Sequence, residues 1–440
     1  MRVELHTATR RRRRSRRPRR RTSYAPRRRG TWGRRRTPAV VWVLPLLVLA
    51  GLVIAYAAFA LLRSLPAAAV TAATRPGAFP GRLSNPGWPG QGEAAVGVDG
   101  VGVIASHGSN RPTPIASLAK VMTADVVLHA HPLHGRGGGP MITVTPADVA
   151  AYRADLAGGQ SVVLVQAGER LSERAALEGL LLPSGNNLAT LLAGWDAGSQ
   201  RAFVAKMNAT ARSLRLSHTH YSDASGVQAS TVSTAADQTR LAMDVMALPA
   251  FRQIVGMTSA VLPVAGRRDN LDGLLGTDGI IGIKTGTTSQ AGGCFLFAAT
   301  ARAGRRRVTI VGAVLHQAAT RAQPSILDAA LHATTTLVSG ARGVLATHRA
   351  VRRGATLAWI SAPWTSRVAL RTTRSVVLTG WPGLRIHTSV AGPARPATPV
   401  AAGARLAQAV ITAARERTTV PLTAAAAVPG PSLSWRLTHP

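Results

Sequence analysis

A serine and a lysine, Ser117 and Lys120, lie three residues apart at the start of an apolar segment. The apolar side chains of this segment recur every three or four residues, as on a helix; they are Ile115, Leu118, Met122 and Val126. Residues three apart share a helix face, so the amine would lie beside the hydroxyl. A neutral amine can take the serine proton and create a nucleophile. Burial or a neighbouring cation must lower the lysine pKa for this to happen.

The scarcity of lysine makes this pair stand out. The chain contains 53 lysine and arginine residues, and only Lys120, Lys206 and Lys284 are lysines. Arginine keeps its proton in proteins and cannot act as a base. Taken alone, the Ser-x-x-Lys spacing also fits a helix start whose lysine is exposed to solvent. The rest of the chain must decide between the two interpretations.

The formal net charge of +35 is concentrated at the N-terminus. Residues 1–38 hold 17 arginines and a single acid, Glu4, and predict a disordered cytoplasmic tail. Residues 39–62 carry no charge and are long enough to cross a membrane. Because the arginines precede this segment, the positive-inside rule places the rest of the chain outside the cytoplasm.

The alternative for residues 39–62 is a cleaved signal peptide, since small residues suitable for cleavage follow at 67–73. The apolar segment is long for a signal peptide, which favours an uncleaved anchor in the cell membrane. Anionic lipid headgroups are then the natural partner of the basic tail, and we expect no nucleic-acid binding.

Composition divides the remaining chain into three parts. Residues 63–92 are rich in proline, glycine and alanine and predict a linker. Residues 93–342 alternate between strand and helix patterns; a β-hairpin turn is predicted at 99–100, and short strands or loop edges at 141–149. Residues 343–440 contain short alternating segments and predict a small, mostly β domain.

Two further motifs follow the serine–lysine pair. Ser184-Gly185-Asn186 lies between two predicted helices, where polar side chains can face a cleft or an asparagine can cap the next helix. Lys284-Thr285-Gly286 lies in a predicted strand. The ordered set of Ser-x-x-Lys, Ser-x-Asn and Lys-Thr-Gly is the motif set of β-lactamases and penicillin-binding proteins. Each motif is weak alone, but the ordered set is specific.

Residues 94–340 resemble the serine D-alanyl-D-alanine carboxypeptidases, which are the low-molecular-mass penicillin-binding proteins. The resemblance is carried by the segments around the first and third motifs and between the last two: 116–124, 203–208, 222–227, 282–288 and 291–294. It implies an α/β fold in which an antiparallel sheet has helices on both faces. It also implies an enzyme that removes the terminal D-alanine of peptidoglycan stem peptides, without cofactor or metal. The basic exterior fits an anionic cell wall.

The resemblance assigns catalytic roles to three residues. Ser117 is the nucleophile that becomes acylated, and Lys120 is its general base. Ser184 passes a proton to the leaving amine. Asn186 binds the amide of the acyl chain.

The third motif is implied to bind the other end of the substrate. Lys284 lies near the catalytic amine, and Thr285 and Thr287 hold the terminal carboxylate. Gly286 lets the strand backbone approach the substrate. The backbone amides of Ser117 and Thr287 form the oxyanion hole.

Asp272 departs from the family, which often has a second asparagine before the paired leucines, and we assign it no catalytic role. Glutamate is absent between Ser184 and Lys284, the interval in which class A β-lactamases carry the residue that activates the deacylating water. We therefore expect β-lactams to inhibit the protein through a slowly hydrolysed acyl-enzyme.

Two other functions remain open. A DD-endopeptidase that cuts crosslinks would use the same site, and a non-catalytic penicillin-binding sensor or scaffold would use the tail for interactions. Cys294 is the only cysteine and lies in an apolar segment, which predicts a buried hydrophobic side chain. Three histidines cluster beside a glycine-rich loop, at 129, 131 and 134, without an acid or cysteine in that loop. We expect no metal site there.

Overall fold

The computed structural model describes residues 40–73 and 76–439, so the predicted basic tail at 1–38 lies outside the described residues. The chain forms two compact units. The described part of one unit comprises residues 40–64 and 433–439, and the other unit comprises residues 65–432.

Ten α-helices occur among the described residues, and a 3₁₀ turn at Ala116–Leu118 precedes the second. Their bounds are α1 Val40–Leu62, α2 Ala119–Ala130, α3 Pro146–Ala157, α4 Glu173–Leu181, α5 Asn186–Ala197, α6 Gln200–Ser213, α7 Ala235–Val245, α8 Pro249–Val255, α9 Ile326–Val344 and α10 Leu433–Thr438.

The strands are mostly short and pair antiparallel throughout the described residues. Their bounds are β1 Ala69–Ala72, β2 Gly77–Ala78, β3 Glu93–Val98, β4 Gly102–His107, β5 Thr113–Pro114, β6 Met141–Thr143, β7 Arg170–Ser172, β8 Val232–Ser233, β9 Ser259–Leu262, β10 Gly266–Asp269, β11 Ile280–Thr288, β12 Gly292–Ala303, β13 Arg306–Gln317, β14 Ala346–Val351, β15 Thr356–Ala362, β16 Thr365–Thr372, β17 Val376–Gly380, β18 Arg385–Ala391, β19 Arg405–Ala413 and β20 Glu416–Ala424.

The unit formed by α1 and α10 contains the apolar segment predicted to cross a membrane. By length and composition, Trp42–Leu62 of α1 is able to span one. The C-terminal helix α10 contacts it, since the Tyr56 hydroxyl donates a hydrogen bond to the carbonyl of Leu437 at 2.6 Å.

A five-stranded sheet in the order β11-β12-β13-β3-β4 forms the centre of residues 93–342. Alternate side chains of β12 enter two different cores. Leu296 and Ala298 pack in the core that includes α2 and α7, whereas Phe295 and Phe297 pack in the core that includes α9. The prediction of an α/β domain with helices on both faces of an antiparallel sheet is confirmed.

Local sequence signals fix where several helices begin. The Ser172 hydroxyl accepts a hydrogen bond from the amide of Ala175 at 3.2 Å and caps α4. A capping box between Thr145 and Asp148 begins α3. The sequence pattern predicted strands or loop edges here, and that prediction was wrong from Pro146 onward, where the helix begins. None of the side chains of α3 is fully buried, and only Val149 and Tyr152 pack against the core, so its apolar face is weak.

The C-terminal part of the chain forms the predicted β domain. A seven-stranded sheet runs in the order β1-β15-β16-β20-β19-β18-β2, and a two-stranded sheet of β14 and β17 accompanies it. Two of these strands, β1 and β2, come from the segment predicted to be a linker. The linker prediction at 63–92 therefore needs correction. These strands are four and two residues long, which is too short to show a period in the sequence.

The segment at 63–92 that was predicted to be a linker also contributes to the core of the β domain, and this contribution can be tested by mutation. Phe79 is buried among Ile386, Leu378 and other core residues, with its ring centroid 5.3 Å from that of His348. We expect Phe79→Ala to lower the free energy of unfolding of the β domain by about 3 kcal/mol, because it removes a buried aromatic ring. Denaturant unfolding of residues 65–440 would measure this loss.

The control is Val377→Ala, which truncates a side chain that is 44% exposed in the same domain. It should change stability by less than about 0.5 kcal/mol. Equal effects of the two substitutions would show that residues before the central domain do not belong to the C-terminal core.

Candidate active site

Ser117 lies in the 3₁₀ turn immediately before α2, and an unusual backbone conformation holds it there. The preceding residue, Ala116, has φ of +48°, a value that is strained for a residue with a side chain. Gly226 lies against the carbonyl of Ala116, and a Cβ at this position would clash with that oxygen. Gly286 of β11 lies against the amide of Ser117 on the other side. The turn is therefore held between two glycines of distant segments.

Lys120 lies one helical turn after Ser117 and is completely buried. Its Nζ lies 2.7 Å from the Ser117 Oγ and 3.3 Å from the Ser184 Oγ. The Ser225 carbonyl accepts a third hydrogen bond from the same nitrogen at 3.1 Å. The solvent-exposed alternative for this lysine is wrong, because the amine joins two hydroxyls inside the protein.

Ser184 and Gly185 of the second motif lie on the connection between α4 and α5, as expected, whereas Asn186 is the first residue of α5. Ser184 is buried and has φ of +66°, which turns its hydroxyl toward Lys120. The Asn186 side chain donates a hydrogen bond to the Gln160 Oε1 at 2.7 Å, while its own Oδ1 is buried without a partner among the described residues. No side chain caps α5, so the capping alternative for this asparagine is wrong.

The third motif lies on β11, at the edge of the central sheet. Lys284 is buried, and its Nζ donates a hydrogen bond to the carbonyl of Thr285 at 3.0 Å. Thr285 is also buried, whereas Thr287 is exposed. The exposed edge of β11 is thus available to pair with an extended ligand.

The electrostatics of the site favour an uncharged Lys120. Burial lowers the pKa of Lys120 well below its ordinary value, and the nearby charge of Lys284 lowers that pKa further. Burial also lowers the pKa of Lys284, to about 7, against the raising effect of Asp272. Two buried amines that repel each other's protons can supply a base at neutral pH.

The sequence analysis did not identify the turn at residues 222–227 as part of the site. The Asp223 Oδ2 accepts hydrogen bonds from the amides of Gly226 at 2.7 Å and Val227 at 3.0 Å, and from the Ser225 hydroxyl at 2.7 Å. These bonds hold the Ser225 carbonyl at the Lys120 amine. The segment resembled the family's loop between the second and third motifs, which was the available signal.

Asp272 also belongs to the surroundings of the site. Its side chain is buried, and the Oδ1 accepts a hydrogen bond from the amide of Leu274 at 3.0 Å. Burial raises the pKa of the Asp272 carboxyl to about 6, while that backbone bond and Lys284 act in the opposite direction. An asparagine at this position would carry no charge. An aspartate here therefore changes the electrostatic field at Lys284.

Comparison with known proteins agrees with the geometry of the site. The family model for D-alanyl-D-alanine carboxypeptidases of the peptidase S11 type matches residues 92–317. The chain belongs to this family. The match spans all three motifs and the central sheet, and it ends before α9 and the C-terminal β domain.

Individual members of the D-alanyl-D-alanine carboxypeptidase family agree with the match. The chain is 37% identical over 235 residues to the D-alanyl-D-alanine carboxypeptidase DacB2 of Mycobacterium tuberculosis, an overlap that covers 52% of this chain and 76% of the relative. It is 33% identical over 207 residues to a D-alanyl-D-alanine endopeptidase of Pseudomonas aeruginosa, covering 45% of this chain and 63% of the relative. A crystal structure of a penicillin-binding protein homolog from Mycobacterium tuberculosis aligns with a TM-score of 0.50 and 32% identity, covering 60% of this chain and 94% of that one.

The contact between Gly226 and Ala116 gives a prediction for the site. Gly226 has φ of +83°, and an added Cβ has no room beside the carbonyl of Ala116. We expect Gly226→Ala to displace Ser117 and to slow its acylation by a fluorescent penicillin about a hundredfold, the usual cost of misplacing a reacting atom by about 1 Å. The acylation rate would be measured by gel fluorescence.

The matched control is Gly135→Ala. Gly135 also has a positive φ, of +58°, but nothing lies within 4 Å of its added Cβ. This variant should be acylated at the wild-type rate. Equal rates for the two variants would show that the glycine contact does not position Ser117.

Proposed function

We propose that the protein is a serine D-alanyl-D-alanine carboxypeptidase, which removes the terminal D-alanine of peptidoglycan stem peptides. One observation carries the proposal. The buried amine of Lys120 lies 2.7 Å from the Ser117 hydroxyl and 3.3 Å from the Ser184 hydroxyl. This arrangement provides a nucleophile, its base and a route for the proton in one place.

In the acylation step, the neutral Lys120 amine takes the Ser117 proton as Oγ attacks the carbonyl of the penultimate D-alanine. The backbone amides of Ser117 and Thr287 stabilise the oxygen anion of the tetrahedral intermediate. Ser184 then passes the proton from Lys120 to the nitrogen of the departing D-alanine. The peptide C–N bond breaks, and an ester to Ser117 remains.

The substrate is held at both ends in this proposal. Lys284, Thr285 and Thr287 bind the terminal carboxylate, and the absence of a side chain at Gly286 lets the substrate approach β11. The unpartnered Oδ1 of Asn186 accepts a hydrogen bond from the amide of the acyl chain. Water then attacks the ester, with Lys120 as the base, and releases the shortened peptide.

β-Lactams would act as inhibitors, because the strained amide acylates Ser117 in the same way. No glutamate occurs in the sequence between Ser184 and Lys284 to activate a deacylating water. The penicillin acyl-enzyme is therefore long-lived, and the protein is inhibited by β-lactams rather than acting as a β-lactamase.

The proposed location is the outer face of the cell membrane. The apolar helix at Trp42–Leu62 is suited to a single-pass anchor, and the arginines of residues 1–38 place the N-terminus in the cytoplasm. The catalytic domain would then face the peptidoglycan.

Endopeptidase activity on crosslinked peptides is the second candidate, favoured by the 33% identity to a D-alanyl-D-alanine endopeptidase. The two reactions share one acyl-enzyme and differ in the group that leaves. A sensor without turnover is disfavoured by the complete set of catalytic side chains.

The decisive substitution is Ser117→Ala, tested on the chain from residue 65 onward. We expect release of D-alanine from diacetyl-Lys-D-Ala-D-Ala to fall more than about a thousandfold, because the acyl-enzyme cannot form. Labelling by a fluorescent penicillin should disappear with it. Ser213→Ala, at an exposed serine of α6, is the control and should keep both activities.

The wild-type result separates the candidates. The wild type would be an endopeptidase rather than a carboxypeptidase if penicillin labels it and it cleaves a crosslinked muropeptide dimer but releases no D-alanine. Labelling with neither reaction would favour the sensor. Release that survives Ser117→Ala would overturn the assignment of the nucleophile.

The pH dependence tests the role of the second lysine. Below its pKa of about 7, Lys284 is charged and opposes protonation of Lys120. Lys284→Met removes this repulsion, so the pKa of Lys120 rises and the acidic limb of the kcat/KM profile moves to higher pH. The height of the profile should also fall, because a partner of the substrate carboxylate is lost.

Lys206→Met is the control, since Lys206 is partly exposed and pairs with Asp196 at 2.8 Å. Its profile should match that of the wild type. An acidic limb that stays in place or moves to lower pH in Lys284→Met would contradict the proposed repulsion.

A further inference from the structure

A second cluster of titratable side chains lies at the far end of α2 from the catalytic turn. It consists of Asp125 and His129 on α2 and Asp244 on α7, and is named the α2–α7 cluster. One potential metal-ligating atom from each side chain can be chosen so that all three lie within 4.8 Å of one another. The proposed peptidase reaction uses none of these residues.

Asp125 is the unusual member of the cluster. Its side chain is 1% exposed, and neither carboxylate oxygen has a hydrogen-bond partner among the described residues. The Nδ1 of His129 lies 3.2 Å from the Asp125 Oδ1, but its hydrogen bond at 2.9 Å goes to the backbone carbonyl of Asp125. A buried carboxylate without a hydrogen bond is costly, and the pair with His129 supplies a positive charge only when that imidazole is protonated.

The cluster faces a cavity through which an ion could enter. The cavity has a volume of about 500 Å³ and is lined by all three cluster residues together with residues of α6. Lys206 also lines this cavity, but its Nζ is engaged by the Asp196 carboxylate at 2.8 Å. The lysine that lines the cavity is thus already paired with Asp196.

We propose that the α2–α7 cluster binds a divalent transition-metal ion of the Zn²⁺ type. Two carboxylates and an imidazole are ligands that Zn²⁺ accepts, with water completing the coordination. The two negative charges balance the charge of the ion, and the unpartnered oxygens of Asp125 gain a partner.

The geometry requires a local adjustment. Two ligand atoms that each lie about 2.1 Å from one tetrahedral ion are about 3.4 Å apart. Because the three chosen atoms lie within 4.8 Å of one another, the groups must close by up to about 1.4 Å. The His129 side chain is 56% exposed and Asp244 is partly exposed, so both have room to rotate.

The proposal revises the expectation from the sequence that no metal site lies among the three neighbouring histidines. That expectation considered them together, but the structure separates them. His131 pairs with Asp196 at 3.2 Å, whereas His129 lies beside Asp125 of its own helix and Asp244 of α7. A bound ion would tie the end of α2 to α7 and so stabilise the helix that begins beside the nucleophile.

Equilibrium dialysis against ZnCl₂ tests the proposal. The full chain would be purified in detergent without a histidine tag and stripped with a chelator. We expect the wild type to bind one more zinc ion than His129→Gln and Asp244→Asn, whose affinity at this site should fall at least about tenfold. His131→Gln is the matched control and should bind as the wild type does.

Thermal unfolding provides a second measurement that does not depend on counting ions. Zinc should raise the Tm of the wild type in a concentration-dependent way and leave that of Asp125→Asn unchanged. Asp125→Asn should fold without zinc, since it removes a buried charge, and penicillin labelling would verify folding. Equal zinc binding by the wild type and the cluster variants, or equal zinc effects on their Tm, would overturn the proposal.

Discussion

The burial of a single amine, that of Lys120, is the constraint on which the site depends. An ammonium in this position would need either full hydration or an anionic partner, and the structure gives it two hydroxyls, a carbonyl and a second lysine. These neighbours favour the neutral amine, which is the form that accepts a proton. The surrounding fold keeps water away from that nitrogen and holds the two hydroxyls beside it.

Backbone conformation, more than side-chain packing, sets the positions of the two serines. Ser117 follows a residue with positive φ, and Ser184 itself has positive φ. Such conformations are unfavourable for residues with side chains and persist only where surrounding contacts enforce them. Close approaches by Gly226 and Gly286 supply those contacts at the Ser117 turn. Strain at the nucleophile is thus balanced by the packing of segments far away in the sequence.

Asp272 shows how a shared framework accommodates individual variation. It places a carboxylate near Lys284, and burial raises the pKa of that carboxyl to about 6. The charge of the Lys284 amine therefore depends on two buried groups that titrate in the same range. The helix α2 combines similar features, with a buried amine at its start and a buried carboxylate, that of Asp125, in its middle.

The sequence by itself determined the identity and order of the three motifs, the hairpin at Asp99-Gly100, the capped start of α4 and the apolar segment of α1. Each of these depends on residues that are adjacent or a few positions apart, and the resemblance to a known family joined them into one site. Helix α3 was not predicted because its apolar face is weak and none of its side chains is fully buried.

Only the tertiary structure decided which distant groups meet. Lys120 contacts Ser184 and the Ser225 carbonyl across 64 and 105 residues, and no local pattern encodes those distances. Strands β1 and β2 join a sheet built almost three hundred residues later, because unpaired edges of that sheet accept even short segments. The α2–α7 cluster likewise exists only because two helices pack together. Local sequence specifies local geometry, whereas burial and long-range pairing are properties of the whole chain.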